Sequence, residues 1–376
     1  MSRGSETGLV AFKPVLKFPH LVVVILLAAC AGRLRAQADT EFDTLAARAT
    51  EARNQQNIPL AIQLYGKALE AKPNWAEGWF NLGQLQYSSN GFASAIDALN
   101  HVLQLQPNAG PAIALRGLCE LETGAYGDAL RDLEQGLAKG AGDQPGKEAV
   151  LRFHIGELLG RAGLFEDAVK QYAFLGVHRL KDPDLLVAIG LAGMRIPDLP
   201  NNVPAEKRPF LEAVGGAGYA YLSGDADAAD HQFNDLFTRY PRTPNLNFFY
   251  GSLLYNDSPT LAIEQFRAEV EHVPTNIYAR GVLAFTLTVA GRFAEARPEA
   301  EIALAASPDM EIAQIALGRA LADTGDVKRT TELLNKVLQK DPNNLEAHMG
   351  LADVYSRAGR REDAYRERMV CLSLAK

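Results

Sequence analysis

Cysteine is nearly absent from this chain of 376 residues, with only Cys30, Cys119 and Cys371. Three cysteines cannot staple a small disulfide-dense fold, and no C-x-x-C pair is present to grip zinc or run redox chemistry. The histidines His101, His154, His178, His231, His272 and His348 fall in no metal-ligand spacing, and H-E-x-x-H does not occur. A basic excess is also missing. The formal charge is −7, and the arginine-rich spots at Arg33 to Arg35 and Arg357 to Arg368 are short and mixed with acids, so nothing supports nucleic-acid binding. No apolar run approaches the ~20 residues needed to span a bilayer; the longest, Leu21 to Ala31, is too short. Runs of alternating β-branched residues, the mark of half-buried strands, do not appear.

Nucleotide and catalytic signatures are equally scarce. Gly140 to Glu148 contains Gly146-Lys147, but Ala141 stands where a phosphate loop needs its first glycine and Glu148 where it needs Ser or Thr; it reads as a Gly-rich connector. Gly215-Gly216-Ala217-Gly218 follows no strand and reads as small residues at a helix crossing. Carboxylates are plentiful without a pair to single out as acid and base. No cofactor, no metal site and no enzymatic activity are expected.

What is present is a period. Prolines recur at Pro73 and Pro107, and again at Pro241, Pro274, Pro308 and Pro342, at intervals of 33 or 34 residues. In the second copy Trp79, Leu82, Gly83, Ala95, Leu99 and Pro107 fall on the template W-x2-L-G…A-x3-F…P, with Leu99 for Phe and Tyr87 one place from the expected aromatic. This pattern resembles the tetratricopeptide repeat family. Gly83 and Ala95 are small where two helices of a hairpin cross. Trp79 and Leu82 fill the seam between neighbouring helices, and Pro107 cannot continue a helix but suits the first turn of the next.

Further copies follow in phase. The first carries Ala61, Tyr65, Ala68 and Pro73; the third Gly117, Gly124 and Ala129, with Ala141 in place of proline; the fourth Gly156, Gly163, Phe165, Ala168 and Tyr172. After a break come Gly224, Ala229, Phe233 and Pro241; then Gly251, Ala262, Phe266 and Pro274; then Leu283, Gly291, Phe293, Ala296 and Pro308. Leu317, Gly318, Leu321, Gly325 and Pro342 make the eighth, and Leu351, Tyr355, Gly359 and Ala364 the ninth. The resemblance implies an all-α fold, an α-solenoid (superhelix) of about nine helix-turn-helix repeats. Glycines at Asn90-Gly91, Thr123-Gly124, Ala162-Gly163, Ser223-Gly224, Ala290-Gly291, Thr324-Gly325 and Ala358-Gly359 are expected to end helices in the left-handed conformation. Asn74, Asn108, Asp309 and Asn343, each directly after a repeat proline, are expected to cap the next helix.

The organisation expected is an export signal and short linker over 1–38, one half-array over 39–196, a proline-rich connector over 197–209, and a second half-array over 210–376 closed by a polar capping helix. The connector holds Pro197, Pro200, Pro204 and Pro209 and cannot be a long helix. It reads either as a joint or strap between the halves or as a connection replacing one degenerate second helix. In the last helix Arg360, Arg361, Glu362, Asp363, Arg366, Glu367 and Arg368 supply a polar outer face. Cys119 and Cys371, in the third and last repeats, are expected unpaired.

Lys13 and Lys17 ahead of the apolar run make the start of the chain resemble a bacterial export signal. Leu27-Ala28-Ala29-Cys30 resembles a lipoprotein box, with Cys30 the lipidated residue; Ala36-Gln37-Ala38 is a competing cleavage site that would release a soluble protein; an uncleaved anchor is the third route. Each gives an exported protein of the periplasm or cell envelope, membrane-attached or free. Removing Met1 to Ala29 would leave a charge of −9, since that stretch holds three cations and one anion.

In the tetratricopeptide family the first helix of each pair lines a concave face that binds protein partners. By register, the resemblance assigns partner contacts to Phe80, Gln84, Tyr87, Phe153, Glu157, Tyr221, Phe248, Tyr255, Tyr278, Phe285 and Arg319. The family's carboxylate clamp of Lys, Asn and Arg is not reproduced. The aromatics imply instead a groove for apolar or extended peptide segments, or else packing between adjacent repeats. The expected function is a protein-interaction scaffold of the bacterial envelope; the alternative is a structural or assembly lipoprotein acting through outer or end surfaces.

Overall fold

The computed structural model describes residues 39–143 and 145–374; the expected export signal and Cys30 lie outside them. The described residues form nineteen α-helices and one short 3-10 turn, with no strand. The chain falls into two compact units, 1–141 and 142–376.

In the first unit, α1 (39–54) pairs with α2 (Ile58–Ala71), α3 (Ala76–Ser88) with α4 (Phe92–Leu105), and α5 (Gly110–Glu122) with α6 (Tyr126–Ala138). Trp79 packs against the core on either side of its repeat, one cluster around Tyr65 and Leu82 and one around Leu99 and Cys119. Its indole N–H also donates to Pro73 O at 2.8 Å. That bond has counterparts in the second unit, where Gln314 Nε2 donates to Pro308 O at 2.8 Å and His348 Nε2 lies 3.0 Å from Pro342 O. Three different side chains, each six residues after a repeat proline, thus hold the turn that proline makes.

The second unit runs through α7 (Pro145–Arg161), α8 (Phe165–Val177), α9 (Pro183–Gly193), α10 (Arg208–Leu222), α11 (Ala226–Arg239), α12 (Leu246–Leu254), α13 (Pro259–His272), α14 (Ile277–Val289), α15 (Phe293–Ala306), α16 (Glu311–Asp323), α17 (Val327–Lys340), α18 (Leu345–Arg357) and α19 (Arg361–Leu374). Hairpins pack as α7 with α8, α10 with α11, and then in order to α18 with α19. In the hairpins that keep the template, a small residue of the first helix meets a small residue of the second. Ala49 pairs by register with Ala61, Gly83 with Ala95, Gly117 with Ala129, Gly156 with Ala168, Ala217 with Ala229, Gly251 with Ala262, Ala284 with Ala296 and Ala352 with Ala364; each alanine named is buried. At Gly117 an added Cβ would lie 3.1 Å from Ala129 O. Where Thr330 replaces the alanine opposite Gly318, its hydroxyl donates back to Gly318 O at 3.2 Å, so the buried polar group is satisfied.

Two turn expectations change. At Asn90-Gly91 the left-handed residue is Asn90, with φ +59°, while Gly91 has φ −83°; the six other turn glycines are left-handed as expected. The residue directly after a repeat proline is not the cap. It sits inside the turn, and the cap comes one place later: Asn276 accepts from Ala279 N and Asn344 from Ala347 N, while Trp75, Ala109 and Met310 occupy the same place without a side-chain bond.

The proline-rich stretch lies inside the second unit and takes the place of one second helix. It holds only the 3-10 turn Pro200–Asn202, and Pro209 falls in the first turn of α10. Arg208 donates to Pro200 O at 3.0 Å and pairs with Asp184, tying the end of the connection to the start of α9. With no second helix between them, α9 and α10 pack directly. An added Cβ on Gly215 would lie 1.7 Å from Leu186 O, and one on Gly190 2.2 Å from Leu211 O. The Gly215-Gly216-Ala217-Gly218 run is therefore a helix crossing. Eight of the eleven residues of α9 are buried, so it is apolar all round and enclosed by α7, α8, α10 and α12.

Candidate partner-binding cleft

An apolar concavity of the second unit opens where α8, the ends of α9 and α10, and α12 converge. It measures 450 Å³, within the range of pockets that hold small ligands or side chains. Its walls are Phe165, Val169, Ala173, Leu222, Phe248, Phe249 and Leu253, with Ser252, Tyr255, Asn256 and Asp257 along one edge. The geometry follows from the lost helix. The chain leaves α9 at Arg195, a left-handed residue with φ +56°, and this turns its side chain into the junction instead of onward along a helix.

Arg195 fastens the cleft floor. Its guanidinium carbon stands 4.8 Å from the Phe165 ring centre, 5.4 Å from Phe248 and 4.3 Å from Tyr278. The same group pairs with Glu166, and Tyr278 donates its hydroxyl to Glu166 Oε1 at 3.2 Å. One cation thus joins α8, α12 and α14. Ring contacts of this kind add ~0.5–1 kcal/mol each at exposed sites and more when desolvated.

The phenols around the site are held protonated. Burial pushes the Tyr221 hydroxyl up, as does Asp257, to which it donates at 2.6 Å. Burial likewise raises Tyr255, with Glu346 adding to the shift and Arg319 opposing it. Tyr278 is raised by burial first and by Glu166 next. At neutral pH all three are hydrogen-bond donors.

Of the residues assigned by register, Tyr221, Phe248 and Tyr255 line this cleft, and Tyr278 stands behind it on Arg195. Arg319 pairs with Glu346 within electrostatic reach of Tyr255. Phe285 packs into the cores around Leu317 and Leu351. Glu157 is buried with its carboxylate 2.7 Å from His154 Nδ1, and Phe153 packs edge-on against His154. In the first unit Phe80 lines a separate shallow cleft of 350 Å³, Gln84 is exposed, and Tyr87 packs on Phe92. Arg195, Glu166 and Asp257 carry the polar chemistry of the junction and stand at no template position. Of the floor, the repeat pattern marked Phe165 and the register marked Phe248.

Among the described residues no group of three or more His, Cys, Asp or Glu is placed to hold a metal ion, and no helix is long and apolar enough to cross a membrane. Cys119 and Cys371 are free thiols. Burial pushes the Cys119 thiol up to about 12, which keeps it unreactive at neutral pH. His101 is exposed and stacks on Trp79, with ring centres 4.1 Å apart.

Models of the tetratricopeptide repeat match residues 46–110 and 321–367. A TPR repeat-containing protein of Methanocaldococcus jannaschii is 26% identical over 48% of the chain, and the CTR9 homolog of Arabidopsis thaliana is 25% identical over 84%. The chain spans only 26% and 27% of those two proteins' lengths. Among solved structures, MamA aligns with 54% of the chain and 96% of its own (16% identity, TM-score 0.38), and yeast Tom70 with 89% and 76% (16% identity, TM-score 0.35). Tetratricopeptide repeats are thus matched over two stretches of the chain, and the same small-residue hairpin recurs between them.

Proposed function

We propose that this protein is a non-catalytic scaffold that holds a partner protein through an extended segment seated in the cleft beside Arg195. Tetratricopeptide arrays generally mediate protein–protein interaction. The observation that carries the proposal is the convergence of Tyr221, Phe248 and Tyr255, three positions the repeat register assigns to partner contact, on one apolar concavity of 450 Å³. The test is peptide display. Peptides selected on the wild-type protein should lose binding to Ser252→Trp, whose indole would fill the cleft. Equal binding to both folded proteins would contradict the proposal.

The cationic, apolar N-terminal stretch, with Lys13, Lys17 and the run Leu21 to Ala31, supports placing the scaffold in a bacterial envelope, exported and either lipidated at Cys30 or cleaved near Ala38. Mass spectrometry of the native N-terminus distinguishes these: a diacylglyceryl mass on Cys30, or a free start near Asp39. An intact Met1 on a protein recovered from the cytoplasm would contradict both.

A second reading, assembly through an end surface, is favoured by one feature. Tyr365, Met369 and Leu372, spaced four and three residues apart on α19, are 64%, 46% and 60% exposed. An end contact predicts that Tyr365→Ser with Leu372→Ser abolishes partner recovery while Ser252→Trp does not.

A further inference from the structure

We propose that the segment seated in the cleft carries a bulky apolar side chain next to a lysine or arginine. This rests on the reading of the cleft as the partner site and adds the chemistry of the ligand. The floor, built of Phe165, Val169, Leu222, Phe248 and Leu253, offers no unmet polar group to a ligand, so an apolar side chain fills it best.

The charges of the rim are not balanced. Arg195 is neutralised by Glu166, and Lys170 pairs with Asp167 at 2.7 Å. Asp257 is different. Among the described residues no Lys or Arg pairs with it, and its partner is the neutral Tyr221 hydroxyl at 2.6 Å. Asp230, which accepts from Tyr250, adds a second negative charge within electrostatic reach of Tyr221. One end of an apolar cleft is thus left anionic, and Asp257 is exposed, where an incoming ammonium or guanidinium meets it without a burial cost. The pairing would set partner preference more than total affinity.

Synthetic fluorescent peptides with one Leu-Phe core, flanked by lysines, alanines or glutamates, test this by anisotropy at low salt. Lysine flanks should tighten binding about 2- to 5-fold over alanine flanks, as an exposed ion pair does, and glutamate flanks should weaken it. Asp257→Asn, which keeps an acceptor for Tyr221, should erase the advantage of lysine over alanine flanks. If lysine and glutamate flanks bind alike, or Asp257→Asn leaves the lysine advantage intact, the charge inference is overturned, while loss of all binding in Ser252→Trp would keep the cleft itself. If no peptide binds, or all bind Ser252→Trp as they bind wild type, both readings fall together.

Discussion

Asp132 and Glu120 compete for one guanidinium. Arg116 Nε holds Asp132 at 2.6 Å and stands 3.8 Å from Glu120, whose side chain is 12% exposed and whose Oε2 has no hydrogen-bond partner. Burial first, and the Asp132 charge next, push the Glu120 carboxyl up to about 7. A carboxyl raised on folding contributes stability that is complete below its unfolded value near 4.5 and is lost as pH rises through 7. Glu120→Gln should therefore leave stability at pH 4 nearly unchanged and raise it at pH 8, by on the order of 1–3 kcal/mol. Urea denaturation at the two pH values checks this, and equal gains at both would contradict it. Little of this cluster could be read from the chain, because carboxylates are common on helical surfaces and only packing of α5 on α6 buries these two. The small residues of the hairpin crossings were legible, since glycine or alanine recurring at one phase has a steric reason. The cap positions were read one place early: asparagine after proline is a strong local signal, but the turn consumes that residue before the helix begins.

At the scale of elements, the crossing of α9 and α10 depends on glycine. Gly215→Ala would drive a Cβ to 1.7 Å from Leu186 O, a backbone contact that cannot rotate away. We expect it to cost about 3 kcal/mol or more. Gly66, inside α2 with nothing within 4 Å of an added Cβ, is the matched control, where alanine should stabilise by up to ~1 kcal/mol. Thermal melts of the pair test the crossing, and similar shifts for the two would refute it. The four crowded prolines announced a broken helix, and the break is there. Direct packing of α9 on α10 was not legible, because it needs both chain segments in place before the glycines acquire a partner. Arg195 was hidden for the same reason: its rings and carboxylate come from three different helices. Arg195→Ala should destabilise the second unit by about 1–3 kcal/mol, through lost ring contacts and an unpaired Glu166. Arg195→Lys should recover only part, since an ammonium cannot lie flat against several rings. Full recovery in lysine, measured by denaturant midpoint, would argue that charge alone matters.

For the whole molecule, each repeat contributes little core of its own and relies on its neighbours. The last repeat is closed by α19, through buried Ala364 and a His348 Nδ1 to Glu367 Oε2 contact of 2.6 Å. Ending the chain after Gly359 uncovers Leu351, Val354 and Tyr355, all buried in the intact protein. Such a truncation should self-associate in light scattering, and a monodisperse monomer would contradict this account of the closing helix. The fold as a repeat array was legible because its signal is multiplied along the chain. The cleft was only half legible: register marked Tyr221, Phe248 and Tyr255, but the concavity between them exists only where the repeat fails. The central claim is that this concavity holds a partner segment. Isothermal titration of a display-selected peptide into wild type and into Ser252→Trp, both verified as folded by circular dichroism, tests it most directly. The account predicts affinity at least ~10-fold weaker in the filled cleft, about 1.4 kcal/mol; equal affinity in the two proteins would contradict it.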